Sequence, residues 1–241
     1  LAEQMAHLAC ASTQCFDLAH AGLAFASIGD IRLRIGDLAT AEEAFAKAEE
    51  LEASPLPGLA RLQLLRGRPA EAATLINAAL AGEGWDRLDR TRLLPDQVTI
   101  ALAVDDLDTA RAAATELAES AQTYGSKAML AAAERARGEL TLATGEDDPL
   151  PSLRRGVALW GEALSPYERA RARVLLATAL DRADQPGPAR LELANAYACF
   201  NRLGARLDAE ATAERMAKST GTQPRPEVQR VAPASAGMNS I

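Results

Sequence analysis

The sequence contains few of the residues from which active sites and thick hydrophobic cores are usually made. Aromatic residues make up 4% of the 241, and there are only two histidines. No apolar run reaches the length of about 18 residues that a membrane-spanning helix needs. The nucleotide-binding patterns GxxxxGK[ST] and GxGxxG, the nucleophile pattern GxSxG and the zinc-protease pattern HExxH do not occur. We therefore expect a chain that is not an enzyme, binds no cofactor and does not enter a membrane.

The cysteines and histidines do not make a metal-binding pattern. His7, Cys10 and Cys15 form one close group, but metal sites need four ligands, or three and an open position. Cys10 and Cys15 also fall on different faces of a helix, so we expect buried thiols. With Cys199 the count is odd and no secretory signal is present, which favours a reducing, cytoplasmic setting. A hydrolytic or metal enzyme would have to use His7 or His20.

The charge balance argues against nucleic acid as a partner. The formal net charge is −7 and the pI is near 5.0, so most of the surface repels a phosphate backbone. Arg169, Arg171 and Arg173 lie on one side of a helix with Arg154 and Arg155 nearby, but without interleaved aromatic residues. We expect these arginines to form salt bridges with the many glutamates.

Alanine, leucine, arginine and glutamate dominate the sequence, and this composition favours helix almost throughout. Residues 25–55, FASIGDIRLRIGDLATAEEAFAKAEELEASP, predict two helices joined by a tight corner at Gly36–Asp37. The apolar face of the first helix is predicted at Phe25, Ile28, Ile31 and Ile35. The second helix is predicted from about Thr40 to Glu52, with Asp37 or a capping box at Thr40–Glu43 at its start. Its packing face is predicted at Ala41, Ala44, Phe45 and Ala48.

Later segments repeat this hairpin more loosely, and their corners are Gly67–Pro69, Asp105–Asp106, Gly145–Pro149 and Asp184–Pro188. The spacing from Gly36 to Gly67 is 31 residues. The hairpins are predicted at Leu56–Leu80, Thr91–Ser120, Ser126–Leu164 and Pro166–Leu203. A helix at residues 1–12 precedes them, and a charged capping helix follows at Arg206–Lys218. We predict one helical domain at residues 1–218 and a disordered tail at residues 219–241. The acidic corners 105–106 and 146–148 are interpreted as solvated.

The hairpin resembles a tetratricopeptide repeat, a family with a period of about 34 residues. The matching positions are Phe25, Ile28 and Gly29 in the first helix and Ala41, Phe45 and Ala48 in the second. Arg32 stands where the family usually has tyrosine. The resemblance implies an all-α, tetratricopeptide-like α-solenoid of about four to five helical hairpins, with the first helix of each lining a concave groove.

The groove is the one place where the sequence predicts a site. Five charged residues of the first helices are expected to face it: Asp30, Arg34, Arg61, Arg171 and Asp181. Such a mixed-charge groove suits an extended peptide or a small polar ligand, and the alternative is a merely polar inner surface. The lysine and asparagine pattern of the carboxylate-clamp repeats, which bind acidic chaperone tails, is absent.

A wider resemblance covers residues 16–216. The segments IGDIRLRIGDLATAEEAF, PLPGLARLQLLRGRPAEAATLINAAL, DRTRLLPDQVTIALAVDDLDTARAAATELAE and SPYERARARVLLATAL occur in this order. Their succession resembles the C-terminal helical region of large bacterial ATP-binding LuxR-type transcription regulators and related signalling ATPases.

That resemblance implies a sensor and protein-interaction arm that takes a protein or peptide partner, or a small-molecule inducer, and that could assemble into a homo-oligomer. The phosphate-binding loop and the DNA-reading domain of the family are absent here, so neither ATP hydrolysis nor operator binding carries over. Because the chain begins at Leu1 inside a predicted helix, we expect it to be part of a longer protein. The alternative function is a stand-alone scaffold that joins proteins without a regulatory output.

Overall fold

The computed structural model describes residues 4, 5, 8, 18–82 and 86–220, and residues 18–82 and 86–220 form eleven helices and no strand. The predicted all-α class is confirmed. The helices are α1 (Leu18–Ile35), α2 (Leu38–Glu50), α3 (Gly58–Leu65), α4 (Pro69–Ala81), α5 (Arg87–Ala103), α6 (Leu107–Tyr124), α7 (Lys127–Thr144), α8 (Leu150–Glu162), α9 (Pro166–Arg182), α10 (Pro186–Leu203) and α11 (Arg206–Thr220).

The helices pack in consecutive pairs, and the odd-numbered members form an inner layer. Each of α1, α3, α5, α7 and α9 packs against the helix that follows it. Odd-numbered helices also contact each other across pairs, α1 with α3, α5 with α7, and α7 with α9. The last helix, α11, packs against α10 and also reaches back to α1. The two ends of the helical array therefore meet.

Each of the five corners within these pairs contains one residue in the left-handed backbone region. The φ angles are +96° at Gly36, +74° at Gly67, +58° at Asp105, +68° at Gly145 and +56° at Asp184. Glycine adopts this conformation without steric cost and aspartate is among the few other residues that tolerate it. This recurrent left-handed residue explains why the hairpins are recognisable in the sequence although their helices diverge.

The same type of helix cap follows two of the corners. Asp37 accepts a hydrogen bond from the Thr40 amide at 3.2 Å, and Asp106 accepts one from the Thr109 amide at 3.0 Å. The predicted capping box at Thr40–Glu43 is wrong, because α2 begins at Leu38 and the Thr40 amide is the donor within its first turn. The sequence echo between IGDLATA and VDDLDTA thus corresponds to one repeated cap.

Phe45 packs between the first two hairpins. Its side chain is 1% exposed, and a Cβ added to Gly29 would lie 2.3 Å from its ring, while one added to Gly58 would lie 2.5 Å from it. Glycine at both positions lets α1 and α3 close on the ring. The predicted face of α2 is buried as expected, at Ala41, Ala44, Phe45 and Ala48.

The apolar face predicted for α1 is only partly correct. Ile28 is buried, but Phe25, Ile31 and Ile35 are half-buried and Leu33 is buried instead. The reason is that α1 is packed by α2, α3 and α11 on different sides. A single three-to-four spacing therefore does not describe which side chains are covered.

The later packing positions are mostly those predicted. Fully or nearly fully buried are Ala72, Ile76, Ala110, Leu117, Leu153, Gly156, Ala189, Leu193 and Ala196. Ala79 and Ala114 are half-exposed, and their neighbours Leu80 and Ala113 are buried in their place. Trp160 packs near the end of α8, 8% exposed.

Some predicted boundaries shift. The connection predicted at residues 81–90 is shorter, because Asp86 accepts from the Asp89 amide at 2.7 Å and α5 starts at Arg87. At the other end, α11 runs through Thr220 rather than stopping at Lys218. The predicted helix at residues 1–12, its candidate ligands at 7, 10 and 15, and the predicted tail beyond residue 220 lie outside the described residues, apart from residues 4, 5 and 8.

The largest buried cluster extends from α3 to α10, and a smaller cluster lies at each end of the array. The ends join where Leu207 of α11 packs on the α1 corner, since a Cβ on Gly36 would lie 3.1 Å from the Leu207 Cγ atom. Within the described part of the chain, no helix combines the length and apolar character required to cross a bilayer.

Candidate functional site

A cavity of about 150 Å³ lies where α1, α3, α5, α9 and α11 of the inner layer converge. The lining of this central cavity includes three arginines and three aspartates, so its formal charges are balanced. Five aliphatic side chains make the rest of its wall largely apolar. Its lining residues are Asp30, Leu33, Arg34, Arg61, Leu64, Leu65, Asp96, Thr99, Ile100, Tyr167, Arg171, Leu207 and Asp208.

Arg61 and Asp96 form the fixed part of the cavity wall. The Arg61 Nε and Nη2 atoms each donate to one Asp96 carboxylate oxygen at 2.7 Å, a two-point bond between α3 and α5. The Asp96 side chain is 5% exposed. Burial alone would raise the pKa of Asp96, but the charge and hydrogen bonds of Arg61, with Arg171 and Arg135 beyond it, place that pKa below its ordinary value. Both members of this pair are ionised, and the pair fixes the position of the Arg61 guanidinium.

Asp30 on α1 has unfilled capacity to accept hydrogen bonds. Its Oδ1 atom is buried and has no hydrogen-bond partner among the described residues. The nearest cation is the Arg61 Nη1 atom at 3.7 Å, beyond hydrogen-bond reach. Burial raises the pKa of Asp30, and the nearby charges of Arg61 and Arg34 offset this only in part. A donor brought into the cavity would satisfy this carboxylate.

Arg34 and Tyr167 connect the first helix to the ninth. The Arg34 guanidinium lies 4.2 Å from the centroid of the Tyr167 ring, a cation–π contact. The Tyr167 hydroxyl donates to Asp208 Oδ2 at 3.0 Å. Burial, with the charge of Asp208, raises the pKa of Tyr167 to about 12, so the phenol stays protonated at neutral pH. Arg34 makes no hydrogen bond or ion pair within the described residues, which leaves its donors available.

Arg171 on α9 is held more loosely than Arg61. It donates to Glu168, three residues earlier, at 3.3 Å, and its side chain is 24% exposed. Burial is the largest single influence and would lower its pKa, but the charges of Glu168 and Asp96, with Tyr167, together raise that pKa, so the guanidinium remains charged. One weak bond uses little of the five-donor capacity of an arginine. The cavity therefore presents free cationic donors beside a free carboxylate oxygen.

The structure brings together four of the five residues predicted for the groove. Asp30, Arg34, Arg61 and Arg171 all line the central cavity. Asp181 does not: it is exposed near the end of α9. Ten residues of helix separate it from Arg171, which is about 15 Å along the axis. Asp181 therefore does not belong to the central cavity, and its predicted position in the wider groove stays a prediction.

Sequence reasoning missed Asp96, Tyr167 and Asp208. Asp96 had a usable signal, since it is the one charged residue within the run LLPDQVTIAL, where an apolar helix face would otherwise continue. No signal in the sequence identifies Tyr167 and Asp208, because their position at the cavity depends on the packing of α11 against α1. The helix DAEATAERMAK was interpreted only as a charged cap.

Three of the five arginines in the predicted cluster form ion pairs with glutamates, as expected, and Arg154 has no such pair within the described residues. Arg171 pairs with Glu168, Arg173 lies 3.0 Å from Glu192, and Arg155 lies 3.3 Å from Glu134. Arg169 has no such carboxylate within the described residues. In the same part of the chain, no three His, Cys, Asp or Glu side chains are grouped so that they could bind a metal ion.

No family model, curated protein or solved structure matches the chain. The chemistry of the central cavity is therefore defined by its own side chains. Its volume is similar to that of an engineered apolar cavity, about 150 Å³, that takes up benzene. Aliphatic walls, free arginine donors and a free carboxylate oxygen suit a compact ligand that has both an acidic and a basic group.

Proposed function

We propose that the chain is a tetratricopeptide-like α-solenoid that acts as the sensor and protein-interaction arm of a bacterial LuxR-type transcriptional regulator or a related signalling ATPase. It has no catalytic activity in this proposal. The central cavity carries the argument: five helices that are distant in sequence converge on it, and each contributes a charged or polar side chain. A ligand bound there contacts both ends of the array at once.

The proposed ligand is a small zwitterion or the terminal residue of a peptide. Its carboxylate is bound by Arg34 and Arg171, whose donors are largely unused. Its amino group donates to the carboxylate of Asp30, which lines the cavity. Arg61 has a smaller part in direct binding, because its Nε and Nη2 atoms already donate to Asp96 and its Nη1 atom lies 3.7 Å from Asp30.

The proposed mechanism is a shift between two curvatures of the helical stack. Arg34 lies on α1, Arg171 on α9 and Asp208 on α11, so a ligand that contacts them favours the closed arrangement of the ends. A ligand shifts such an equilibrium only by its difference in affinity for the two shapes. Domains attached to the arm then respond to that shift.

Thermal unfolding with defined probes tests this proposal. Free α-amino acids with aliphatic side chains are compared with their N-acetyl and their C-terminal amide derivatives, each of which lacks one charge. Binding to the folded chain alone raises the Tm with ligand concentration. We expect a rise with the zwitterions, a smaller rise with either derivative, and loss of the effect in Arg34→Gln.

Arg137→Gln is the matched control, because Arg137 is an exposed arginine on α7 outside the cavity. Its response to ligand should equal that of the unmodified chain. Equal Tm shifts for the zwitterions and both derivatives, or no shift with any probe, would argue against the sensor function.

The alternative is a stand-alone scaffold, and one surface favours it. A pocket of about 470 Å³ lies beside the central cavity, where apolar side chains of α1 meet the corner before α9 and the end of α10. Its apolar walls include Ile31, Ile35, Leu164 and Leu203, and Leu164 is 87% exposed. An exposed apolar pocket suits a side chain of a partner protein. An ATPase domain encoded upstream in the same reading frame would favour the sensor arm over the scaffold.

A further inference from the structure

A second polar pocket, separate from the central cavity, lies on the outside of α9. It has a volume of about 420 Å³ and is formed by the end of α8, the corner after it, α9 and α10. None of its lining residues belongs to the central cavity. We term it the outer pocket and define its polar wall as Trp160, Arg169, Arg173, Asn195, Cys199 and Arg202.

Two buried donors in this wall have no acceptor within the described residues. They are the indole Nε1 of Trp160 and the Nε of Arg169. Trp160 is only 8% exposed, and buried donors of this kind are nearly always paired in folded proteins. Two unpaired donors in one pocket indicate a place that an acceptor from outside the chain can occupy.

The Arg169 guanidinium is positioned by backbone rather than by a carboxylate. A Cβ added to Gly161 would lie 3.2 Å from the Arg169 Cζ atom and 3.3 Å from Nη1. The guanidinium therefore lies directly over the glycine at the end of α8. This contact holds the group in place while leaving its donors without a partner.

The remaining wall adds positive charge and no carboxylate. Arg173 forms an ion pair at 3.0 Å with Glu192, which is not one of the lining residues. Arg202 has one long contact, 3.7 Å to the Cys199 sulfur, and the Cys199 thiol donates to the Pro166 carbonyl at 3.3 Å. The chain has a net charge of −7, yet this pocket is lined by three arginines and by no acidic residue. The overall composition does not predict such a basic pocket.

We infer that the outer pocket binds the phosphate group of a small molecule. The planar guanidinium of Arg169 matches phosphate oxygens in a two-point manner, and the indole N–H and Arg202 supply further donors. A phosphate ion alone is smaller than the pocket, so the remaining space beside Leu164 and Pro166 accommodates an organic group. This inference does not rest on the sensor function proposed above, because the two sites share no residue.

Isothermal titration of the full chain with inorganic phosphate, phenyl phosphate and acetate, at matched ionic strength in chloride, tests this inference. We expect saturable binding of phosphate at one site and no comparable binding of acetate. Tighter binding of phenyl phosphate identifies an ester as the ligand, whereas equal affinities identify free phosphate. Acetate binding as tight as phosphate binding would overturn the assignment.

Three variants give the test its specificity. Arg169→Gln should weaken phosphate binding by about tenfold or more, as expected for loss of a charge-assisted hydrogen bond, and Trp160→Phe should weaken it by a smaller factor. Arg154→Gln removes the same charge from an exposed position on α8 and should change nothing. Equal losses in Arg154→Gln and Arg169→Gln would show a general charge effect and contradict the site.

Gly161→Ala provides a second route if Arg169→Gln fails to fold. It keeps every donor but adds a Cβ against the Arg169 guanidinium, which must then move. We expect weaker phosphate binding by a chain whose circular dichroism spectrum is unchanged. Unaltered affinity in a folded Gly161→Ala chain would contradict the proposed role of Arg169.

Discussion

Arg61 of helix α3 and Arg66, which caps the C-terminal end of that helix, make nearly the same two-point bond to a carboxylate. Arg61 faces the inner layer and grips Asp96 with two hydrogen bonds of 2.7 Å. Arg66 faces outward and grips Glu42 with bonds of 2.6 and 2.7 Å. The Asp96 side chain is 5% exposed and that of Glu42 is 51% exposed. The two ion pairs thus have the same hydrogen-bond geometry and differ in how deeply their carboxylates are buried.

The difference teaches that bond length alone says little about what an ion pair contributes. In water the outer pair exchanges one set of hydrogen bonds for another and is screened by salt. The inner pair cannot do so, because removing one partner leaves a charge in a site that water reaches poorly. The inner layer therefore depends on mutual charge compensation, whereas the outer layer tolerates its loss.

The largest effect is expected for Asp96→Asn. It removes the counter-charge of Arg61, and breaking a buried pair in this way typically costs about 3–5 kcal/mol. Urea unfolding followed by circular dichroism measures the free energy of unfolding. In the double variant Arg61→Met/Asp96→Leu both charges of this pair are removed together, so it should be less destabilised than Asp96→Asn, although Asp30 loses the nearby charge of Arg61. A loss in Asp96→Asn no greater than that in Glu42→Gln would refute the contrast between the layers.

A smaller effect, which depends on pH, is expected for Asp30→Asn. Burial raises the pKa of Asp30 above the ordinary value of 3.8. The folded state then binds more protons than the unfolded state, so the contribution of Asp30 to stability is full below pH 3.8 and is lost as the pH rises through the raised pKa. The pH dependence of stability has the opposite sign for Asp96, because the pKa of Asp96 is lowered. The contribution of Asp96 to stability is present above pH 3.8 and is lost only as the pH falls through that lowered pKa.

We therefore expect Asp30→Asn to match the unmodified chain near pH 3.8 and to become the more stable of the two as the pH rises towards 7. Urea unfolding at a series of pH values provides the measurement. A stability difference that stays constant over this range would mean that the Asp30 carboxylate is not destabilised by burial.

The smallest effect is expected for Glu42→Gln. Its pair with Arg66 lies on the outer surface, where exposed ion pairs contribute little to stability. The urea midpoint should stay within experimental error of the unmodified chain, and added salt should not change that result. A clear loss of stability would show that the outer layer also relies on its ion pairs.

The helical pairs could be predicted because their corners have a local cause. A left-handed residue at Gly36 or Asp105, followed by a capping aspartate, is visible in a few consecutive letters. The packing face of α2 was likewise predictable, since its buried residues Ala41, Ala44, Phe45 and Ala48 follow a single helical spacing. The face of α1 was not, because three helices cover it from different directions.

The central cavity could be predicted only in part, for a related reason. Counting along first helices identified Asp30, Arg34, Arg61 and Arg171, whose positions depend on the regular stacking of neighbours. Tyr167 and Asp208 are positioned by the contact between the last helix and the first, which no local pattern encodes. The sequence also does not distinguish Arg61 from Arg34. Only the fold shows that Arg61 is paired with Asp96, whereas the hydrogen-bond donors of Arg34 are available.

The contact between α1 and α11 has a consequence for how the molecule folds. In an open stack of repeats, each unit needs only its neighbour, so folding can begin anywhere and spread. Here the final contact joins residues separated by nearly the whole chain, and such contacts form late because their loop-closure entropy must be overcome first. During synthesis the early pairs can assemble as they emerge, but Asp30 and Arg34 meet Asp208 only after α11 has been made. The cavity is therefore completed later than the early helical pairs and, by the same reasoning, local unfolding of either end of the array would abolish it.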